Sequence, residues 1–174
     1  VLEAQEVQGV PAIATPYRLA GLHDLALHPQ FAQNGLLYFS FNKPGELVPA
    51  AGNAPARQQS RLAVMRARFD GKALVEVQEI FLGKSAGSSG SRIAFGRDGM
   101  LYIIIGAAFG DEAQRMDNTV GKVLRVRDDG SAAFDSIARL DDVIKLAARA
   151  GEFDLVEEFG VDAERLPALG RDTQ

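Results

Sequence analysis

The chain has 174 residues, of which 47% are hydrophobic and 24% charged, enough for one globular domain with a real core. It contains no cysteine, which excludes disulfide and thiolate chemistry, and no apolar run approaches the ~18 residues of a membrane helix. The formal net charge of −4 argues against a nucleic-acid partner, and the charge is uneven: residues 132–174 carry five basic and ten acidic side chains, while the remainder is nearly neutral. The chain opens at Val1 rather than Met without a signal-peptide pattern, so its natural N-terminus is expected upstream and its compartment is left open.

Pro11 and Pro16 limit regular structure over residues 1–20. Residues 22–27 read as a strand, residues 28–35 as a structured turn, and residues 36–41 as a strongly apolar strand. Residues 43–60 contain Pro44, Gly45, Pro49, Gly52 and Pro55 and are predicted to form a long loop. Residues 61–69 alternate, with Leu62 and Val64 on one side and Ala63, Met65 and Ala67 on the other. Asp70-Gly71 is a strong hairpin signal, and residues 73–82 supply the next strand. That makes four strands in a first unit.

The run GKSAGSSGS at residues 83–91 reads as a flexible connection to a second unit. An anion cradle built from its N–H groups is the alternative, but the run enters a strand and does not end in a P-loop signature. Next comes GSRIAFGRDGMLYIIIG, residues 90–106, two strands joined by the turn Gly96-Arg97-Asp98-Gly99. Ile93, Phe95, Leu101, Ile103 and Ile105 fall at period-two spacing, and the uncharged run 101–105 predicts a central strand covered on both faces. A polar connection over residues 107–119 leads to a strand at residues 122–126 and the turn Asp128-Asp129-Gly130. From Phe134 the spacing of Ile137, Leu140, Ile144 and Ala147 becomes helical, with Asp135 as N-cap and Gly151 as stop, and shorter helical pieces follow at residues 152–159 and 162–169. Two parts are therefore expected, a β-rich body at residues 1–131 and an acidic α-helical tail at residues 132–174.

The body contains an internal repeat. GLHDLALHPQFAQNGLLYFSF, residues 21–41, has the same grammar as residues 90–106: Ala26 corresponds to Ala94, and Leu37-Tyr38 to Leu101-Tyr102. A period of about 65 residues with several short strands per unit is the signature of propeller blades or a similar repeating sheet module.

These two stretches, together with AQRMDNTVGKVLRVRDDGS at residues 113–131, resemble the N-terminal part of the soluble quinoprotein aldose dehydrogenases, also called glucose/sorbosone dehydrogenases. The resemblance covers about residues 9–131. It implies a mainly β fold, about two four-stranded antiparallel blades of a six-bladed propeller. It also implies oxidation of the C1 hydroxyl of an aldose sugar with pyrroloquinoline quinone (PQQ) and calcium. The family's general-base histidine, in the pattern HxGSR, corresponds to Ser88 of Ser88-Ser89-Gly90-Ser91-Arg92, and a serine has no proton-accepting power near neutral pH without its own base. The family's Gly-Asp is Gly106-Ala107, its Ala-Gln-Asp is Ala113-Gln114-Arg115, its histidine before Leu-Gly-Lys is Thr119, and its glutamine falls near Leu19. The quinone and calcium ligands of the family have no assignable counterparts. No catalytic residue is therefore predicted, and PQQ and calcium are implied by resemblance alone.

Propellers need at least four blades, and this chain has length for about two. Open blade faces invite a longer gene product, a tail folded over the exposed face, or a homo-oligomer in which copies complete one another. The chain then reads as a fragment or divergent dehydrogenase inactive by itself, with a non-catalytic propeller-derived binding module as the alternative. Among other candidates, His23 and His28 lack metal-ligand spacing, His28 belongs to a scaffold turn, and His23 stands where the family has an apolar residue. Asp111, Glu112 and Asp117 are close in sequence but form no cation-loop pattern, and Arg92 reads as a strand-end cap.

Overall fold

The computed structural model describes residues 5–15, 21–83, 90–107, 111–115 and 117–139, with residues 132–139 as backbone only. Eight strands form two antiparallel four-stranded sheets, each in chain order. The first holds β1 (Leu22–Leu27), β2 (Leu36–Val48), β3 (Arg57–Phe69) and β4 (Leu74–Leu82); the second holds β5 (Ser91–Phe95), β6 (Leu101–Ile105), β7 (Lys122–Val126) and β8 (Ala132–Arg139). The only α-helix among the described residues is a single turn, α1 (Phe31–Asn34), inside the β1–β2 connection; Gly35 closes it at φ 65°, a conformation that suits glycine.

The repeat read from the sequence is a repeat of register. Ala26 lies opposite Tyr38 in the first sheet, and Ala94 opposite Tyr102 in the second. The third strands extend the match, because Arg66 lies opposite Tyr38 and Arg125 opposite Tyr102. Each unit thus places the same alanine, tyrosine and arginine in one row across its first three strands.

Strand parity then decides what each face buries. Tyr38, Leu62 and Val64 of the first sheet pack against Ile93, Leu101, Ile103, Ile105, Leu124 and Val126 of the second, forming the core between the sheets. Residues of opposite parity, Leu37, Phe39, Phe41, Ala63, Met65 and Ala67, form a second core with Ile13, Phe31, Val77 and Leu82. The N-terminal segment is tied on by hydrogen bonds from Ala14 N–H to Asn42 O and from Leu74 N–H to Gln8 O.

The seam between the sheets is stitched at several points. Tyr38 is fully buried, and its hydroxyl donates to the carbonyl of Asp128 in the β7–β8 turn, 3.1 Å away. The rings of His28 and Phe95 pack against Tyr38. Near the other end of the seam, the Ile93 N–H donates to the Asp24 carboxylate at 2.9 Å. Gly130 (φ 83°) lies so close to β4 that a Cβ there would stand 2.6 Å from the Ile80 carbonyl oxygen, so only glycine fits that turn.

Two sequence expectations change. Residues 43–60 are mostly a long hairpin rather than a loop: β2 runs to Val48 and β3 starts at Arg57, and the register shift between Pro44 and Leu47 absorbs a proline that cannot donate to the ladder. The helical expectation also fails over its first part, because residues 132–139 are strand β8, paired with β7 through Val123–Ala138 and Leu124–Ile137. The open edge of β7 offers a ladder of hydrogen bonds that outweighs the helical spacing. The expectation from residue 140 onward lies outside the described residues. The central-strand reading of residues 101–105 holds for position, since β6 sits between β5 and β7, but Tyr102 and Ile104 on its second face are only half-buried.

Tyr38→Phe removes the hydroxyl bond to Asp128 while keeping the ring, so unfolding free energy should fall by about 1 kcal/mol in chemical denaturation; Tyr38→Ala should cost ~3–5 kcal/mol through the cavity left in the seam. Asp98 in the β5–β6 turn is pushed up by partial burial, but hydrogen bonds from the Met100 N–H, Arg125 and Tyr102 prevail and hold its carboxyl below the ordinary aspartate range. Its contribution is therefore present above the unfolded-state value and is lost as pH falls from about 4 through the lower folded value. Asp98→Asn should flatten stability in that acidic window and cost about 1 kcal/mol at neutral pH, since solvent screens this half-exposed pair.

Candidate functional site

Polar residues concentrate at one end of the seam, where β1 and β5 begin. Asp24 is the anchor: one carboxylate oxygen takes the Ile93 N–H, and the other faces the Arg92 guanidinium at 3.5 Å and takes the Leu25 N–H. Arg92 is otherwise largely exposed, so it both braces the start of β5 and reaches solvent. Immediately before β5, the Gly106 N–H donates to the Gly90 carbonyl at 2.8 Å, and a Cβ on Gly106 would crowd that oxygen at 3.1 Å. This close approach of two backbones accounts for the glycine before Ala107, which is itself exposed.

His23 and Asn42 complete this end. The His23 Nε2 lies 2.9 Å from Asn42 Oδ1, and Asn42 is fully buried. Ser40, Ser60 and Ser91 are buried on the β2, β3 and β5 positions that flank the seam, and among the described residues their hydroxyls and the Asn42 Nδ2 have no hydrogen-bond partner. Polar side chains without partners are unusual in a core and concentrate here.

The other sequence candidates disperse. Ser88 lies with residues 84–89 outside the described residues, and so does Leu19. His28 is structural: its Nδ1 accepts from the Gln30 N–H at 3.0 Å and from Asn34 Nδ2 at 2.8 Å, while Nε2 faces the Asp128 carboxylate at 4.0 Å. Thr119 is half-buried. Asp111 and Glu112 are exposed on a 3-10 turn, and Asp117 pairs with Arg115, whose guanidinium holds the Asp117 carboxyl below its usual range. Among the described residues no three His, Asp or Glu side chains gather as a metal site requires.

Lys122 fixes the connection after β6. It is fully buried, and its ammonium donates to the carbonyls of Ala113 at 2.6 Å and Val120 at 2.9 Å. Sequence reasoning missed Asn42, Asp24 and Lys122. For Asn42 the signal was available: Ser40 and Asn42 interrupt an apolar strand at the parity of Tyr38, the face that meets the second sheet.

A tricarboxylate such as PQQ needs several convergent cations. At this end the described residues offer the Arg92 guanidinium, which Asp24 already shares, so they do not by themselves fit that group.

The glucose/sorbosone dehydrogenase family profile matches residues 2–142, reaching past residue 131 to include β8. The slr1608 protein of Synechocystis is 31% identical over 163 residues, covering 81% of this chain and 37% of its own, and the HIPL2 protein of Arabidopsis thaliana is 30% identical over 157 residues, covering 69% and 22%. Among solved structures, a glucose dehydrogenase superposes with a TM-score of 0.64 at 26% identity over 76% of this chain and 37% of its own. The PQQ-bound aldose sugar dehydrogenase of Streptomyces coelicolor gives 0.58 at 27% identity over 75% and 37%. The chain thus spans little more than a third of these solved structures. With four-fifths of its length matched by the family profile, the chain belongs to the glucose/sorbosone dehydrogenase family.

Proposed function

We propose that this chain contributes two consecutive blades to a PQQ-dependent sugar dehydrogenase propeller, and that sugar oxidation needs blades beyond these two. The carrying observation is the repeated row of alanine, tyrosine and arginine. In the first sheet the face bearing Ala26 and Tyr38 is covered by the second sheet. The equivalent face of the second sheet, bearing Ala94, Tyr102 and Arg125, keeps Tyr102 and Arg125 half-exposed and turned on Asp98. A third sheet on that face would repeat the first seam. The outer side of β1 is equally uncovered, with Leu22, Leu25 and Leu27 each at least half exposed, as befits an innermost strand awaiting the other blades.

Chemistry points the same way. The quinone's carboxylates and the calcium would be held by residues of the remaining blades, since the described part of this chain offers no such cradle. Ser88, in the family's base position, leaves this part without the group that accepts the sugar hydroxyl proton.

A chimera tests this reading. Residues 5–139 should replace the matching segment of the Streptomyces coelicolor aldose sugar dehydrogenase, yielding a folded protein that binds PQQ saturably but turns aldose over poorly. Ser88→His in that chimera should then raise turnover by ~10²–10⁴-fold, the usual worth of a positioned general base. A chimera that folds cooperatively but binds no PQQ would contradict the blade assignment. Conversely, PQQ-dependent turnover by the 174-residue chain alone would show that further blades are unnecessary.

A further inference from the structure

The pairing of His23 with Asn42 has no part in the reading above. Strand β1 carries one residue more than its partner here: Leu22 lies opposite Phe41 and Asp24 opposite Ser40, so His23 is the extra residue of a β-bulge. A bulge breaks strict alternation and re-aims the side chain it carries. The ring is aimed at Asn42, whose Oδ1 lies 2.9 Å from Nε2.

Asn42 is a costly residue to keep at this position. It lies in the β2–β3 ladder opposite Leu62 and is fully buried, and its Nδ2 has no partner among the described residues. Leaving such a group unpaired in a core is destabilising. Its backbone is fixed on both sides, the N–H donating to Gly21 O at 3.0 Å and the carbonyl accepting from Ala14 N–H at 2.7 Å. The fold thereby holds a rigid carbonyl acceptor against an imidazole. An amide oxygen can only accept, so the neutral ring carries its proton on Nε2 and presents a lone pair at Nδ1. Among the described residues that Nδ1 has no hydrogen-bond partner, and His23 is half-buried. His28 makes the contrast: two donors already occupy its Nδ1.

We propose that His23 is a hydroxyl-binding residue at the open end of the seam. Its Nδ1 accepts a hydrogen bond from a hydroxyl of a small polyhydroxylated ligand, and Asn42 is the positioning residue that fixes the ring. The nearest charged groups are already matched, Asp24 with Arg92 and with the Ile93 N–H, so the surroundings favour a neutral hydroxyl over a carboxylate or a cation. Choosing a sugar as that ligand rests on the dehydrogenase reading; the orientation of the ring does not.

The chain has two histidines, so long-range ¹H–¹⁵N spectra of the intact protein report both rings separately, with His28 as internal control. The expected result is an Nε2–H tautomer for His23, and an Nδ1 resonance that moves saturably with added D-glucose while His28 stays fixed. Asn42→Ala should replace the single tautomer with the exchanging mixture of a free imidazole. Should Asn42→Ala fail to fold, His23→Gln on the edge strand serves instead and should abolish the glucose-dependent shifts of the Ser91 and Arg92 amides. An Nδ1–H tautomer, or a tautomer unchanged by Asn42→Ala, overturns the positioning role. Glucose that shifts the Ser91 and Arg92 amides without moving His23 overturns this inference and leaves the sugar reading standing. Glucose that moves no resonance overturns the hydroxyl site and leaves the blade assignment to be decided by the chimera.

Discussion

The packing of Tyr38 between the two sheets is the constraint on which the remaining structure depends. A fully buried phenol must find a partner for its hydroxyl, and this one finds it in the neighbouring sheet, at the Asp128 carbonyl. That bond fixes the β7–β8 turn relative to β2. Burial raises the phenol's pKa, with Asp128 and Asp129 reinforcing the rise and Arg66 opposing it, so the hydroxyl remains a donor. His28 and Phe95 close around the ring, and Gly130 lets the same turn come against Ile80 of β4. The second sheet has no core of its own without the first, since its buried row packs on Tyr38, Leu62 and Val64. A single four-stranded sheet would leave the Leu101, Ile103 and Ile105 row in water.

The same row recurs one sheet later with a different outcome. Tyr102 and Arg125 occupy the positions of Tyr38 and Arg66, yet the Tyr102 hydroxyl donates to Asp98 of its own sheet at 3.0 Å, and Arg125 binds the same carboxylate. This polar triad satisfies a face whose counterpart in the first sheet is buried against the second sheet. Arrays of repeated sheets behave as nearest-neighbour systems, each unit supplying the cover for the one before it. In this chain the second sheet covers the Tyr38 face of the first, while the equivalent face of the second keeps Tyr102 and Arg125 half-exposed.

Much of this architecture was legible in the sequence because period-two spacing and turn residues encode it locally. The strands at residues 22–27, 61–69, 101–105 and 122–126 were all readable, and the correspondence of Ala26 with Ala94 and of Tyr38 with Tyr102 anticipated a shared register. What escaped is set by partners rather than by local pattern. Proline and glycine at residues 44–45 suggested a loop, but pairing with β3 carries the strand across them through a register shift. Ile137 fitted a helical stripe and instead lies in β8, opposite Leu124 of β7. The bulge at His23 depends on which residues face it across the ladder, information that no stretch of β1 contains. At the candidate site, the glycines and Arg92 were visible as motif positions, whereas the role of Asp24 emerged only when β1 and β5 were brought side by side.

Joined by Tyr38, Asp24 and the apolar row between them, the two sheets should unfold as one cooperative unit. Native-state hydrogen exchange tests this most directly, because the Ile93 amide is bonded across the seam to Asp24, while the Phe41 amide lies within the first sheet and the Ile103 amide within the second. These three amides are expected to exchange with the same free energy, equal to that of global unfolding. If Ile93 and Ile103 exchange through a markedly cheaper opening while Phe41 stays protected, the second sheet is an independent, weakly docked element, and the seam described here does not hold the fold together.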